Sequence, residues 1–311
     1  MRSICAIGLI FAMLAPIRAQ EGSEPTFKVD VKLVNVFVTV TNQQGAPIGN
    51  LTKADFGLTE DGIPQKIALF SKESELPLSI ILAVDTSSST RKDIRLELEA
   101  ARRFIHSMIR PQDGLSLYAF SSDVSELTPF TAKLHQIDSA INEVRVGGAT
   151  SLYDAIYLGS KALMKRQGRK VLVLITDGGD TASTIDYKEA LRAAQQSEAL
   201  VYSLIDVPVE ASAGRNTGGE HALIQISHDT GGKYFYAANV AQLDKAFAEI
   251  SDELRTQYLL AYYPVERRAA SDFREIDVMA HPHDLQNGKG SEGSENLIVR
   301  ARRGYYTSKL E

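Results

Sequence analysis

Four nearly unbroken apolar runs limit what this chain can fold into. They are Leu78-Ser79-Ile80-Ile81-Leu82-Ala83-Val84, Gly114-Leu115-Ser116-Leu117-Tyr118-Ala119-Phe120, Lys170-Val171-Leu172-Val173-Leu174-Ile175-Thr176 and Ala199-Leu200-Val201-Tyr202-Ser203-Leu204-Ile205. A strand with one wet face alternates apolar and polar residues. A continuous run is a strand buried on both faces, as in a parallel sheet covered by helices on each side. Helical patterns lie between the runs. Ile94, Leu98, Ala101, Ile105 and Met108 recur at spacings of 4, 3, 4 and 3, and Leu243, Ala246, Phe247, Ile250 and Leu254 likewise share one face. Strand and helix in alternation predict a doubly wound α/β domain with a mostly parallel sheet, over residues 76–256.

The flanks have a different period. Phe27, Val29, Val31 and Leu33 alternate with polar residues, then Val34, Val36, Val38 and Val40 alternate in the opposite phase. A phase change inside a strand predicts a bulge near Leu33-Val34. Asn42-Gln43-Gln44-Gly45 and Glu60-Asp61-Gly62 read as turns, the second between two short strands. After Gln257 the strand pattern returns at Tyr258–Tyr263, Phe273–Met279 and Leu297–Ala301, with a long flexible loop from His281 to Glu295. About three strands from residues 20–75 and three from 257–311 are too few for two independent sheets. They are expected to pair into one small β-sandwich, with the α/β domain inserted between its halves.

Residues 1–19 read as a secretory signal peptide. Met1-Arg2-Ser3 is basic, Ile4 to Leu14 is apolar, and Ala15-Pro16-Ile17-Arg18-Ala19 leads into polar sequence. The alternative is an uncleaved N-terminal anchor. The expectation is an exported protein (periplasmic, cell-surface or secreted) with no membrane span after cleavage. Cleavage removes Cys5, the single cysteine among 311 residues, so a disulfide scaffold within one chain is excluded. With 44% apolar and 23% charged residues the chain is neither wholly disordered nor a polytopic membrane protein. Its net charge of -5 and lack of a basic run give no support to nucleic-acid binding.

Chemistry-bearing residues follow the apolar runs. Asp85-Thr86-Ser87-Ser88-Ser89 comes directly after the first, Gly147-Gly148-Ala149-Thr150-Ser151 opens a helix at Leu152, and Asp177-Gly178-Gly179-Asp180 follows the run ending at Thr176. Ligands of a parallel α/β sheet bind beyond the carboxyl ends of its strands. Asp85, Ser87, Ser89, Thr150 and Asp177 supply oxygen alone. Oxygen selects hard cations, and Mg²⁺ takes six such donors at about 2.1 Å, with Mn²⁺ or Ca²⁺ as alternatives. Five protein groups leave a position for a carboxylate from another molecule. The plainer reading is that Asp85 and the serines cap a helix. Asp154 and Asp180 read as supporting or solvated groups, and Asp123 as a turn residue. His281-Pro282-His283 reads as loop. Arg300, Arg302 and Arg303 read as a solvated sheet edge guarded by charge. Tyr258, Tyr262, Tyr263, Tyr305 and Tyr306 read as sandwich core and rim.

Asp-x-Ser-x-Ser after a first apolar strand, a threonine in a later glycine-rich loop and Thr-Asp-Gly after a further strand resemble the von Willebrand factor type A domain. Asp85, Ser87 and Ser89, then Thr150, then Asp177 match its metal-ion-dependent adhesion site position by position. The resemblance implies that Ser87, Ser89 and Thr150 reach the ion directly in one state and that the two aspartates act largely through water. It also implies a protein partner presenting Asp or Glu, and movement of the last helix, Asn239 to Thr256, on binding. Gln257-Tyr258-Leu259-Leu260-Ala261-Tyr262-Tyr263-Pro264 and Val299-Arg300-Ala301-Arg302-Arg303-Gly304-Tyr305-Tyr306 are similar to exported acidobacterial proteins of this class. The expected function is a metal-dependent protein-binding, adhesion-type module. The alternatives are an envelope-assembly component whose ion only stabilises it, or a Mg²⁺-dependent hydrolase. Against an enzyme, there is no Gly-x-Ser-x-Gly turn and no phosphate-binding Gly-x-x-x-x-Gly-Lys loop, and Ser87 stands where a phosphoryl-accepting aspartate wants a second acid.

Overall fold

The computed structural model describes residues 33–72, 76–88, 94–206, 217–265, 272–281 and 297–308. The proposed signal segment, Cys5, the alternation before Leu33, Ser89, His283 and nearly all of the loop after His281 lie outside these residues. Four strands come first: β1 (Val34–Thr41), β2 (Phe56–Glu60), β3 (Ile63–Pro64) and β4 (Ile67–Lys72). The middle of the chain then runs β5 (Leu78–Asp85), α1 (Ile94–Met108), β6 (Gly114–Phe120), β7 (Val124–Thr131), α2 (Leu134–Glu143), α3 (Leu152–Met164), β8 (Arg169–Thr176), α4 (Tyr187–Ser197), β9 (Leu200–Asp206), α5 (Thr217–Thr230), β10 (Lys233–Ala237) and α6 (Val240–Thr256). Four more strands close it: β11 (Tyr258–Tyr262), β12 (Phe273–Ala280), β13 (Ile298–Ala301) and β14 (Gly304–Tyr306).

The middle elements build one six-stranded sheet of order β10-β9-β8-β5-β6-β7. All its pairs are parallel except β6 with β7. Strand β5 shows why the apolar runs are unbroken. Ile80, Leu82 and Val84 face a core formed with α1, α2 and α6, while Ile81 and Ala83 face a second core formed with α3, α4 and α5. The first core includes Phe104 of α1 stacked on Phe247 of α6, with ring centroids 4.5 Å apart. Among the described residues no helix is long and apolar enough to cross a membrane. Two strands escaped the sequence pattern. Edge strand β7 contains Pro129 and is mostly half-exposed, and edge strand β10 exposes Tyr234 and Tyr236. Edge strands lack two-sided burial, so they lack its signature.

The flanking strands form two antiparallel sheets, β13-β1-β11-β4 and β14-β12-β2-β3. Each mixes strands from before and after the six-stranded sheet. They share one core, in which Val34, Val36, Val38 and Val40 of β1 meet Leu58, Tyr258, Leu260, Tyr262, Ile276 and Val278. The sandwich is larger than the expected three strands from each side. Strands β3 and β14 add one to each half, and at two and three residues they are too short to show a period. Both expected turns form. Gly45 has φ +84°, and Asp61 and Gly62 have φ +49° and +74°, as a two-residue hairpin requires. Strand β1 pairs in continuous register with β11 and β13, and a register shift lies between Ala261 and Tyr262, where β11 meets β4; the residues before Leu33 that the expected bulge involves are outside those described. Tyr258 and Tyr262 are buried core residues, and Tyr263 is exposed at the rim.

The arginine cluster is not a solvated edge. Arg302 is only 7% exposed; it donates to the Asn35 carbonyl (2.7 Å) and lies 3.3 Å from Glu198. Arg300 reaches Glu253 of α6 at 2.5 Å and also donates to the Gly232 carbonyl. Of the three, Arg303 alone is largely exposed. These cations tie the sandwich to the amino-end side of the six-stranded sheet. The acids they meet are far away in sequence, so a local reading sees three charges and no partners. Because Glu253 is almost fully buried between Arg300 and Lys233, Glu253→Ala is expected to cost about 3 kcal/mol in urea unfolding. Arg103→Ala, which breaks an exposed pair with Asp244, should cost less than about 1 kcal/mol.

Candidate functional site

The carboxyl ends of β5 and β8 lie side by side, because the chain adds β6 on one flank of β5 and β8 on the other. Such a reversal opens a crevice beyond the strand ends. Asp85 closes β5 there and is fully buried. Its Oδ2 accepts a hydrogen bond from Thr176 Oγ1 (2.7 Å) at the end of β8, and its Oδ1 accepts from Ser87 N (2.8 Å). The Ser87 hydroxyl also bonds this carboxylate. Thr86 is pinned to the end of β6, with N and Oγ1 both donating to the Phe120 carbonyl. Among the described residues, Asp85 serves to tie the ends of β5 and β8 together and to order the turn at Ser87.

Two further loops converge on this one. Gly147 N donates to the Thr86 carbonyl (2.7 Å), and Ser88 N donates to the Gly148 carbonyl (3.1 Å). Thr150 is 5% exposed and is held through its main chain. Its N donates to Thr181 Oγ1 (2.9 Å), and its carbonyl accepts from Thr181 N and Ala182 N. Among the described residues the Thr150 hydroxyl has no hydrogen-bond partner. Asp177 follows β8, is half-buried, and accepts from Gly179 N (3.2 Å). Gly178 adopts φ +86°, and the start of α5 comes so close that a Cβ on Gly219 would collide with the Gly178 carbonyl. The structure therefore gathers the loops of Asp85, Ser87, Thr150 and Asp177 at one end of the sheet. Ser89, the fifth expected residue, lies outside the described residues.

Asp180 and Asp154 have structural duties. Asp180 Oδ1 accepts from Tyr153 N in the first turn of α3 and from Ser183 Oγ, and Asp154 accepts from Thr184 N and Ile185 N. Both hold the loop that carries Asp177 against the helix that follows Thr150. Asp123 lies in the β6–β7 corner, its carbonyl accepting from Ser121 N. Three contributors escaped the sequence reading: Thr176, Thr181 and the Ser121-Ser122 pair. Thr176 left one signal, a hydroxyl ending an otherwise apolar strand.

Burial pushes the Asp85 carboxyl up to about 6, opposed by the hydrogen bonds from Thr176 and Ser87; the charge of Asp177 raises it further. Among the described residues, the side chains of Asp85, Ser87, Thr150 and Asp177 offer oxygen atoms alone. Among the described residues no three His, Cys, Asp or Glu side chains form a metal-binding group, so any ion held here would rest on two carboxylates supplemented by hydroxyls. That set suits a hard cation and not a nitrogen- or sulfur-seeking one.

Residues 80–179 match the family model for the von Willebrand factor type A domain. No curated protein matches the chain. Among solved structures, a von Willebrand factor type A protein from Catenulispora acidiphila is similar at 11% identity with a TM-score of 0.51, over 82% of this chain and 72% of that one. This likeness concerns the fold. The PilB minor pilin from Streptococcus sanguinis aligns at 14% identity and TM-score 0.47, over 59% of this chain and 62% of the pilin, so this chain spans less than two thirds of the pilin's length. The vWF domain of the type V pili tip protein Mfa5 from Porphyromonas gingivalis aligns at 11% identity and TM-score 0.47, over 63% of this chain and 99% of that domain.

With its carboxyl raised from 3.8 to about 6, Asp85 contributes stability that is present below pH 4 and lost as pH rises through 6. In chelator-treated protein, Asp85→Asn should remove a pH-dependent term of roughly 3 kcal/mol between pH 4 and 7, read from urea unfolding of both proteins.

Proposed function

We propose that this chain is an exported, metal-dependent protein-binding module. Its ion, Mg²⁺ by the donor set, is held by Asp85, Ser87, Ser89, Thr150 and Asp177. The observation that supports this reading is the main-chain locking of the loops of Asp85, Thr150 and Asp177 to one another beyond the ends of β5 and β8. All five positions also fall inside the stretch matched by the type A domain. Ser87, Ser89 and Thr150 supply hydroxyl oxygens to the ion, and Asp85 and Asp177 supply charge, largely through water. When bound, the ion offers a positive, incompletely coordinated face to an Asp or Glu of a protein partner. Exposed Ser88 and Gly148 border the crevice and keep it within reach of another surface. The signal-like residues 1–19 support export.

A second reading is favoured by one observation. Asp85, Ser87 and Thr150 are each at least 95% buried, as donors to a purely stabilising ion would be. The two readings diverge in a paired measurement. Mg²⁺ should raise the melting midpoint by mass action, and Thr150→Ala should abolish the rise while leaving the chelated protein folded. Affinity capture from the native envelope, with and without chelator, then decides. The binding-module reading requires that capture fail both in chelator and with Thr150→Ala. Capture that ignores the ion leaves only the stabilising role, and a midpoint indifferent to Mg²⁺, Mn²⁺ and Ca²⁺ removes the metal site itself.

A further inference from the structure

Thr150 reaches the crevice on a loop, and a loop needs an outside reference to present a ligand with the tight octahedral geometry that Mg²⁺ demands. The corner between β6 and β7 provides one. The Ser121 carbonyl accepts from Ser151 N (2.7 Å), the Ser122 carbonyl accepts from Ser151 Oγ (2.8 Å), and Ser122 Oγ accepts from Ala149 N (3.2 Å). Both neighbours of Thr150 are thus tied to two successive serines. The usual fate of a helix-opening serine is to cap its own helix, yet the Ser151 side chain makes no capping bond and turns to the corner instead. Gly147 presses on the same corner. A Cβ there would lie 2.1 Å from Ser121 Oγ and 2.4 Å from Ser121 Cβ, inside hard contact. The corner itself is held by the antiparallel β6–β7 pairing and by Ser121 N donating to the Asp123 carbonyl (2.9 Å).

We propose, resting on the cation reading above, that Ser121 and Ser122 are positioning residues of the metal site. They set how far the Gly147–Ser151 loop stands from the β5 loop, and therefore how closely the Thr150 hydroxyl approaches the ion. A fixed spacing matters more to Mg²⁺, which demands near-ideal geometry, than to Ca²⁺, which tolerates longer bonds and looser geometry.

The test is calorimetric titration of the full chain with Mg²⁺ and with Ca²⁺. Gly147→Ala, which forces the loop off Ser121, should weaken Mg²⁺ at least about tenfold and Ca²⁺ less, so that the Mg²⁺/Ca²⁺ preference falls. Adding Ser121→Gly removes the two atoms in the collision and should restore Mg²⁺ affinity to within about threefold of wild type. Ser122→Ala deletes the acceptor for Ala149 N; it should weaken Mg²⁺ several-fold with an unchanged melting midpoint in chelator, and it carries the test if Gly147→Ala does not fold. Wild type that binds Mg²⁺ while Gly147→Ala or Ser122→Ala binds it equally well overturns this inference alone. A double variant that folds but does not recover Mg²⁺ affinity does the same. Wild type that binds neither ion overturns the cation reading and this inference together.

Discussion

Strand β5 is covered on both faces, and the rest of the molecule is arranged around that burial. From Leu78 to Asp85 every residue is inside. Its odd and even side chains feed two separate helix-backed cores, which is the condition for a stable parallel sheet. The same burial carries a carboxylate into a dry place at the strand's end. A buried charge is costly unless hydrogen-bonded or compensated. Asp85 meets that constraint with bonds from Thr176 and Ser87 and with a raised proton affinity. The chemistry of the crevice is therefore a consequence of where the central strand stops.

Neither sheet of the sandwich is independent of the other half of the chain. Strand β11 follows α6 directly and lies between β1 and β4, so the long insertion is closed by main-chain hydrogen bonds at its two ends. Polar groups reinforce the closure. Arg169, buried at the start of β8, donates to the Leu254 carbonyl and to Gln257 Oε1, and Gln257 Nε2 donates to Thr39 Oγ1. Inside the sandwich, the Tyr262 and Tyr305 hydroxyls both donate to buried Glu60 (2.6 and 3.0 Å); burial and the nearby carboxylate keep both phenols protonated far above neutral pH. Each of these bonds joins residues distant in sequence, and together they pair most of the polar atoms that the closure buries.

Legibility in the sequence followed burial. The four inner strands, the faces of α1 and α6 and the alternation of β1 could be read because two-sided, one-sided and alternate burial each leave a period. Edge strands β7 and β10 and the very short β3 and β14 leave none. Asp85, Ser87, Thr150 and Asp177 were legible as oxygen donors after strand ends, and the structure brings their loops together. What held those loops was much harder to read: Thr176, Thr181 and the Ser121-Ser122 corner act by hydrogen bonds to residues distant in sequence, which residue type does not encode. The arginines near the end were misread for the same reason, since a charge is solvated or paired according to what the fold puts beside it.

By itself the sequence determined the layered α/β class, the covering of the central strands and the order in which oxygen-bearing residues follow them, because these depend on local spacing and on the hydrophobic effect acting along a strand or helix. Tertiary structure alone decided that Arg300 would find Glu253, that Ser151 would turn away from its own helix toward Ser122, and that β11 would lie between β1 and β4 while β12 paired with β2. Those outcomes rest on hydrogen bonds and ion pairs between residues brought close only by chain reversal, for which no stretch of sequence carries a periodic trace.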